Sequence, residues 1–234
     1  MDFCRPFPGD YALRILDLTE EASRRLRHSR TPSGPLAIGA TESTAGVRLP
    51  PLLTRFHRRY PGVEMSLITD SSMELTEKVR NGTLDCALVA GPVNRPDLEC
   101  IPLLEEELVL VHLHSQLNPS GLRTFLVFGS GCTYRARLES WLRHTGTLPF
   151  RLMEFGTFEA ILGCARAGMG TGVLTRSATE HWLRDGDLHL HPLPDPFARV
   201  PTVLLRRRDP YPSPALEAFA EMAEAFLSGK TSAV

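Results

Sequence analysis

Short apolar segments alternate with amphipathic segments along most of this chain, and this alternation most constrains its fold. Leu36–Ala40 is a short apolar run that predicts a buried strand. The next segment predicts a helix, because its apolar residues recur at helical intervals: Leu49, Leu52, Leu53, Phe56 and Tyr60. In Val63–Leu67 apolar and polar residues alternate, which predicts a half-buried strand. Strands that alternate with helices are typical of parallel sheets covered by helices.

The same alternation continues to the end of the chain. Further strands are predicted at Leu84–Ala90, Glu107–Leu113, Leu126–Phe128, Arg151–Phe155, Gly172–Thr175, Leu188–Leu193 and Val200–Arg206. Capping signals predict helices that begin after Ser71, after Ser177 and after Ser213. The strands Glu107–Leu113 and Leu188–Leu193 would join two such sets of elements. The pattern therefore predicts an α/β fold with two lobes around a cleft.

Composition excludes several classes of protein. The chain has 234 residues, 42% hydrophobic and 23% charged, as expected of a soluble globular protein. Its formal net charge of -1 argues against a protein built mainly to bind nucleic acid. It has no apolar run long enough for a membrane span and no apolar core of a signal peptide near Met1. The five cysteines are widely spaced and odd in number, which favours a reducing cytoplasm over a disulfide framework.

The first thirty residues predict one isolated helix. Its apolar residues follow a four-three-four spacing that is typical of a dimerisation seam: Tyr11, Ile15, Leu18 and Ala22. Ser29–Pro35, rich in Ser, Pro and Gly, separates this helix from the rest of the chain. The alternative is an amphipathic helix that folds back onto its own lobe.

Three predicted strand-to-helix junctions carry hydroxyl groups, and these are the candidate binding elements. The helices would begin after Thr41, after Ser130 and after Gly156. Free backbone N–H groups and a positive dipole end at such junctions favour a polar or anionic ligand. Serine, threonine and glycine are also common as caps and turns, so each residue alone has a purely structural alternative. A pocket of this kind suits a small carboxylate or an amino acid.

Catalytic motifs were not found, and no cofactor is expected. The sequence has no nucleophile elbow, phosphate-binding loop or Cys-x-x-Cys pair. Two His-x-His pairs, His112 with His114 and His189 with His191, each place two imidazoles on one strand face. A Zn²⁺ or Ni²⁺ site there is a hypothesis, against the common alternative that exposed histidines are simply solvated.

Several segments together resemble the effector-binding domain of LysR-type transcriptional regulators. They are GATESTAGVRLPPLLTRFHRRYPGVEMSL, NGTLDCALVAGPV, EEELVLV, FGSGCTYRARLESWL and FGTFEAILGCARAGMGTGVL. The order and spacing of these segments carry the resemblance, which covers nearly the whole chain from about Gly9. It implies a type 2 periplasmic-binding-protein-like fold with two hinge crossover strands. The expected divisions are an unstructured start at 1–8, a linker helix at 9–30, lobe I at 36–112 plus 191–234, and lobe II at 113–190.

The resemblance also implies where an effector would bind. In this family the contacts come from the same strand-to-helix loops and from the turn at Gly91-Pro92-Val93. The implied effector contacts are Thr41, Ser43, Thr44, Pro92, Val93, Ser130, Cys132, Thr133, Phe155 and Thr157. The winged helix-turn-helix of the family has no counterpart in the residues before the linker helix.

The expected function is therefore effector sensing rather than catalysis. A small polar or anionic metabolite would bind between the lobes and control transcription through rearrangement of a homodimer or tetramer in the cytoplasm. DNA would be contacted only through a missing N-terminal domain. Two alternatives remain: a stand-alone solute-binding protein, and a DNA-binding-deficient fragment that forms mixed oligomers with full-length regulators.

Overall fold

The computed structural model describes Leu18 and residues 31–113, 123–147, 149–180, 188–209 and 211–229. Of the predicted linker helix, Tyr11, Ile15 and Ala22 lie outside the described residues, whereas Leu18 is helical and 58% exposed. No helix within the described residues is long and apolar enough to cross a membrane.

Strands and helices alternate along the described chain. Their order is β1 (Gly34–Ala40), α1 (Glu42–Val47), α2 (Leu49–Arg59), β2 (Val63–Thr69), α3 (Ser72–Arg80), β3 (Cys86–Ala90), β4 (Leu98–His112), β5 (Arg123–Phe128), α4 (Thr133–His144), β6 (Phe150–Phe155), α5 (Phe158–Arg166), β7 (Thr171–Thr175), α6 (Arg176–Thr179), β8 (His189–Pro192), β9 (Arg199–Arg207) and α7 (Pro214–Leu227). This order confirms the predicted α/β class.

The described strands form one mixed sheet with two distinct parts. The strand order is β2-β1-β3-β9-β4-β7-β5-β6, and β8 pairs with β4. We call β1, β2, β3, β9 and Leu98–Glu107 of β4 the first half-sheet. The second half-sheet comprises Leu108–His112 of β4 with β5, β6, β7 and β8. Pairing is parallel among β1, β2 and β3 and among β5, β6 and β7, and antiparallel where β9 or β4 takes part.

Each half-sheet has helices and a hydrophobic core on both faces. In the first half-sheet, α2 and α7 pack on one face, where Phe56 and Phe219 meet edge to face at 5.3 Å between ring centroids. Helix α3 covers the other face through Leu75 and Val79. In the second half-sheet, α4 and α5 cover opposite faces. Within the described residues the fold therefore has four hydrophobic cores, one on each face of each half-sheet, and strand β4 contributes residues to all four.

Strand β4 passes without a break from the first half-sheet into the second. It pairs with β9 as far as Glu107 and with β7 from Leu108 onward. The chain returns from the second half-sheet to the first beside the same residue of β4. There Leu193 N donates to Leu108 O at 3.1 Å, and Leu108 N donates to Ala198 O at 2.7 Å. The two half-sheets thus join at Leu108, between β4 and the segment that links β8 to β9.

A buried carboxylate binds groups from both sides of this junction. Glu106 is 6% exposed and accepts two hydrogen bonds from the guanidinium of Arg48, at 2.8 and 3.1 Å. Ser177 Oγ on α6 donates to the same carboxylate at 2.9 Å. Arg48 follows α1 and Ser177 packs beside the second half-sheet, so Glu106 connects the two halves.

Some predicted element boundaries were wrong. The strand predicted at Glu107–Leu113 begins earlier, at Leu98. The prediction missed its first part because the exposed Pro102 and the acidic run before Glu107 interrupt the alternation of apolar and polar residues. Ser177 does not cap a helix, since α6 begins at Arg176, two residues earlier than predicted, and the Ser177 hydroxyl donates to Glu106. The Ser213 cap is confirmed by its bond from Leu216 N at 3.2 Å.

Candidate functional site

A cavity of 420 Å³ lies where the two halves of the fold face each other. Its size falls within the range of about 300–1,000 Å³ that is usual for small-molecule sites. The first half contributes residues at or just after the ends of β1, β2 and β3, and the second half contributes residues at or just after the ends of β5 and β6. The lining residues are Thr41, Glu42, Ser43, Thr69, Asp70, Ser71, Ser72, Met73, Glu74, Ala90, Phe128, Gly129, Ser130, Cys132, Thr133, Tyr134, Phe155 and Gly156.

The position of this cavity follows from the topology. Parallel strands end together at one edge of a sheet, and open α/β sheets bind ligands beyond the carboxyl ends of their strands. Here β1, β2 and β3 end at the cavity from one side, and β5 and β6 end there from the other. The first turns of α3 and α4 also line it, so two positive helix ends face the space.

The start of α3 is held by a dense set of hydrogen bonds. Ser71 Oγ accepts from Glu74 N at 3.2 Å, and Asp70 Oδ1 accepts from Ser71 N at 2.7 Å. Ser72 Oγ accepts from Ala90 N at 3.1 Å, which fixes α3 to the end of β3. Burial acts to raise the pKa of Asp70, but Lys78, 2.7 Å away, and the Ser71 N–H bring it below its usual value. Hydrogen bonds therefore fix the start of α3 to its neighbours on this side of the cavity, and the Asp70 carboxylate is ionised and paired.

The two halves touch directly at the start of α4. Thr133 Oγ1 donates to Ala90 O at 2.7 Å, across the cleft. Gly91 has a φ of +99°, and a Cβ there would lie 3.0 Å from the Thr133 side chain. Gly131 has a φ of +83°, and a Cβ there would lie 2.8 Å from Ser71 Oγ. Glycine permits both these backbone conformations and the close approach of the halves.

Glu42 makes a second contact between the halves. Its Oε2 accepts from Phe158 N, the first residue of α5, at 2.9 Å. Burial raises the pKa of Glu42 from 4.5 to about 7, the Phe158 N–H acts in the opposite direction, and nearby Glu159 raises it further. The Glu42 carboxyl, which lines the cavity, therefore gains or loses its proton near neutral pH.

The hydroxyl groups at the start of α1 differ in their hydrogen bonding. Thr41 Oγ1 and Thr44 Oγ1 are hydrogen-bonded to each other at 2.8 Å. Ser43 is 3% exposed, and its Oγ is buried without a hydrogen-bond partner among the described residues. A buried hydroxyl with no partner costs about 1–3 kcal/mol, so its position in the cavity wall calls for a ligand or water.

Cys132 and Tyr134 give the α4 side an uncharged wall. Burial raises the pKa of the Cys132 thiol, although the N–H groups of Arg135 and Tyr134 oppose the shift. Burial also raises the pKa of the Tyr134 phenol. The Cys132 thiol is consequently protonated at neutral pH, which makes it a poor nucleophile and a poor target for oxidation.

The structure gathers part of the predicted effector contacts into this cavity. Thr41, Ser43, Ser130, Cys132, Thr133 and Phe155 line it. The others lie outside the lining. Thr44 is buried behind Thr41, and Thr157 caps α5 by accepting from Ala160 N. Pro92 is exposed, and Val93 packs against the core beneath α3. As effector contacts, all of these residues remain predictions.

Sequence reasoning missed the whole contribution of the β2–α3 junction. Asp70, Ser71, Ser72 and Glu74 line the cavity, yet the sequence was interpreted there only as a capping box. The available signal was position, since this junction also follows a parallel strand. Glu42 was missed as well, and no sequence pattern indicates its bond to α5.

Three histidines of the two predicted pairs lie side by side on β4 and β8. The His112 ring stacks on His191 at 5.0 Å between centroids and lies 6.1 Å from His189. His114 lies outside the described residues. Within the described part of the chain, no group of three or more His, Cys, Asp or Glu residues could hold a metal ion.

Comparison with known proteins agrees with this geometry. The sequence profile of the LysR substrate binding domain matches residues 29–228. The uncharacterized HTH-type transcriptional regulator YusT of Bacillus subtilis (strain 168) is 40% identical over 214 residues, which are 91% of this chain and 72% of the relative. The CcmR regulatory domain of Synechocystis PCC6803, solved in complex with 2-PG, superposes with a TM-score of 0.71 at 21% identity, over 83% of this chain and 98% of that one. The effector-binding domain of QuiR in complex with shikimate gives 0.70 at 17% identity, over 84% and 98%. The fold is accordingly the type 2 periplasmic-binding-protein-like fold of these regulatory domains, and the chain belongs to the LysR family through its substrate-binding domain.

Proposed function

We propose that this chain senses a small polar or anionic metabolite for a LysR-type transcriptional regulator. The observation that carries the proposal is the 420 Å³ cavity at the junction of the two half-sheets, because residues from both halves line it. A ligand in such a position contacts both halves and favours one relative arrangement of them over another.

The bonds across the cavity supply the means of response. The Thr133 bond to Ala90 O and the Phe158 bond to Glu42 join the halves at the cavity itself. A ligand that competes for these groups, or that adds contacts to both sides, shifts the balance between a closed and a more open cleft. The lobes in this proposal, 36–112 plus 191–234 and 113–190, correspond to the two halves of the fold except at Leu108–His112 and His191–Pro192, which pair within the second half-sheet.

The signal would pass to DNA through the assembly of subunits. A change in lobe closure alters the surface with which subunits pack, and so rearranges a homodimer or tetramer. DNA-binding parts attached to such an assembly would then be re-aimed. The related proteins are transcriptional regulators, so we propose a cytoplasmic sensor without catalytic activity.

The experiment is a binding and assembly assay on the 234-residue chain. Shikimate, succinate, 2-oxoglutarate and the standard L-amino acids are tested by thermal shift and by isothermal titration calorimetry. We expect at least one compound to bind and to change the distribution of oligomers in sedimentation velocity.

A pair of tryptophan variants locates the binding. Ser130→Trp fills the cavity from its exposed rim, whereas Ser66→Trp places the same side chain on the exposed face of β2, away from the cavity. The bound compound should be lost in Ser130→Trp and retained in Ser66→Trp. Equal binding by both variants, or binding without any change in assembly, would contradict the proposal.

A further inference from the structure

We propose that the contact between α1 and α5 is a pH-sensitive latch on the cleft, closed while Glu42 carries a proton and open once that proton is lost. The latch comprises Glu42 and Gly46 of α1 with Phe158 and Glu159 of α5. The inference rests on the cleft movement of the proposed function, but its test needs no effector. Its consequence is a regulator whose cleft responds to pH as well as to a metabolite.

The latch joins the two halves of the fold by close packing. Helix α1 follows β1 of the first half-sheet, and α5 covers one face of the second. Phe158 is 9% exposed, and Val47 of α1 packs against the core to which Phe158 belongs. A Cβ at Gly46 would lie 2.8 Å from the Phe158 ring, so the lack of a side chain there lets the two helices touch. Separation of the halves at this point must therefore break the contact.

A hydrogen bond at the cavity wall completes this packing. Glu42 Oε2 accepts from Phe158 N, the first N–H of α5, at 2.9 Å. The Thr133 bond to Ala90 O, also across the cavity, joins a hydroxyl to a carbonyl and does not titrate near neutral pH. Of these two bonds, the one to Glu42 is therefore the bond that can respond to pH.

Glu159 favours a proton on Glu42 in the closed cleft. Burial is the largest cause of the raised pKa of Glu42, about 7 against 4.5, and Glu159 raises it further by its charge and by a hydrogen bond between the two carboxyls. Such a bond requires a proton on one of them, because ionised carboxylates have only acceptors. A protonated Glu42 can donate to Glu159 with one oxygen and accept from Phe158 N with the other. The ionised form keeps the bond from Phe158 N but meets the charge of Glu159.

Several other titratable or charged groups lie on the elements around Glu42. They are Asp70 and Glu74 at the β2–α3 junction, Cys132 and Tyr134 at the start of α4, Arg48 after α1, and Arg176 and Glu180 at α6. Asp70, Arg48 and Arg176 are bound to Lys78, Glu106 and Glu107, whereas Glu74 and Glu180 are exposed. Burial raises the pKa of both Cys132 and Tyr134, so both are uncharged at neutral pH. Among the described groups, Glu159 is the charged neighbour that shifts the pKa of Glu42.

Opening of the cleft releases the proton of Glu42 to solvent. In an open cleft the carboxyl is hydrated, and its pKa returns toward the ordinary 4.5. The closed state therefore binds the proton more tightly than the open state, and low pH favours closure. This preference is complete below pH 4.5 and is lost as pH rises through about 7.

Two measurements on the 234-residue chain test the latch. Amide hydrogen exchange, resolved to single residues and corrected for the intrinsic effect of pH, measures the protection of Phe158 N–H. Pulsed electron paramagnetic resonance measures the distance between spin labels at Ser66 on β2 and Arg143 on α4, which are exposed and lie in different halves. The labels are attached through p-acetylphenylalanine, which leaves the native cysteines in place. Dilution with unlabelled chain restricts the measured distances to single subunits.

We expect both quantities to change with pH in the wild type. Between pH 5.5 and 7.5 the protection of Phe158 N–H should fall at least about fivefold, less than the two pKa values alone would give because solvent screens a half-buried carboxyl. The distance between the labels should shift to longer values over the same range. In Glu42→Gln neither quantity should change, because the amide keeps an acceptor for Phe158 N and has no proton to lose.

Two further variants separate the charge of Glu159 from a general loss of acidic groups. Glu159→Gln removes the neighbouring charge, so the transition should remain visible and move to lower pH. Glu221→Gln makes the same substitution on the exposed face of α7 and should leave the transition where it is in the wild type. If Glu42→Gln does not fold, the exposed position of Glu159 makes Glu159→Gln the variant that decides.

Each outcome supports or overturns the latch. The absence of a pH effect in the wild type, or the same effect in Glu42→Gln, would overturn it. A loss of Phe158 protection without a longer distance would do so too, because the contact would then open without moving the halves. An unmoved transition in Glu159→Gln would overturn the part assigned to Glu159. All these results leave the proposed sensing function standing, since effector binding is measured separately, and a pH-dependent distance in a chain that binds no effector would leave only the latch.

Discussion

At the scale of single residues, Glu42 shows how a carboxyl that lines the cavity can also join the two halves of the fold. Its carboxyl binds the first N–H of α5, although that carboxyl belongs to the other half of the fold. Burial makes ionisation costly, and Glu159 is a further negative group close by. The other titratable groups that line its cavity are the Asp70 and Glu74 carboxyls with the Cys132 thiol and the Tyr134 phenol. The charge at this contact between the halves therefore depends on pH near neutrality.

A pH titration of stability checks this property. The pKa of Glu42 is 4.5 in the unfolded reference and about 7 in the folded chain, so the folded state binds the proton more tightly. This contribution is complete below pH 4.5 and is lost as pH rises through about 7. After allowance for solvent screening of a half-buried group, we expect Glu42 to account for about 1–2 kcal/mol of that loss. Urea unfolding of the wild type and Glu42→Gln between pH 5 and 8 measures it.

Glu42→Gln is its own control, because the variant has no titrating group at this position. Its unfolding free energy should fall less than that of the wild type over the same pH range. Parallel curves for the two proteins would contradict the raised pKa.

At the scale of elements, local sequence accounts for helices and buried strands better than for the strand shared by the two halves. Ser213 and Pro214 predict the start of α7, and the structure confirms it. The beginning of β4 carries no clear alternation, since Leu98–Glu107 contains a proline and three successive acidic residues. Pairing with β9, a long-range interaction, fixes this part of the strand.

The Ser213 cap provides a test at this scale. Ser213 Oγ accepts from Leu216 N, one of the N–H groups that the helix itself leaves unpaired. We expect Ser213→Ala to lower the unfolding free energy by about 1 kcal/mol, measured by urea denaturation. Ser213→Asp keeps an acceptor oxygen and should retain most of the stability. A loss as large in Ser213→Asp as in Ser213→Ala would show that the hydroxyl acts through something other than the cap.

The cavity was predictable in outline but not in its charge. Junctions after parallel strands identify Thr41, Ser130 and Phe155 as neighbours, because strand ends meet at one edge of a sheet. The acidic character comes from Glu42 and Glu74, which are ordinary first-turn residues of α1 and α3 in the sequence. Only the packing of the two halves shows that these carboxylates face one space.

At the scale of the whole molecule, the buried Glu106 carboxylate and its partners hold the halves together. Arg48 and Ser177 bind it from opposite sides of the crossing. The Glu106 side chain is 7% exposed and that of Arg48 is 36% exposed. The removal of one partner leaves a buried charge, which costs far more than a broken surface pair.

Two arginine substitutions compare the loss of a buried ion pair with the loss of an exposed one. Arg48→Met should lower the unfolding free energy by about 3 kcal/mol, at the lower end for a buried pair because Arg48 is partly exposed. Arg199→Met breaks an ion pair with Glu105 whose side chains are 68% and 51% exposed, and should cost less than about 1 kcal/mol. Urea denaturation of both variants gives the comparison. Equal losses would mean that Glu106 is not the main connection.

The path of β4 and β9 has a consequence for synthesis on the ribosome. Strand β9 lies between β3 and β4 in the first half-sheet, and α7 covers one face of the same half. Both elements come from residues 199–227, after the whole of the second half-sheet. The half that leaves the ribosome first therefore cannot be completed until residues 199–227 have been made, whereas the elements of the second half-sheet have all been made once β8 has emerged. One wall of the cavity is thus finished by residues that are synthesised after the whole of the opposite wall.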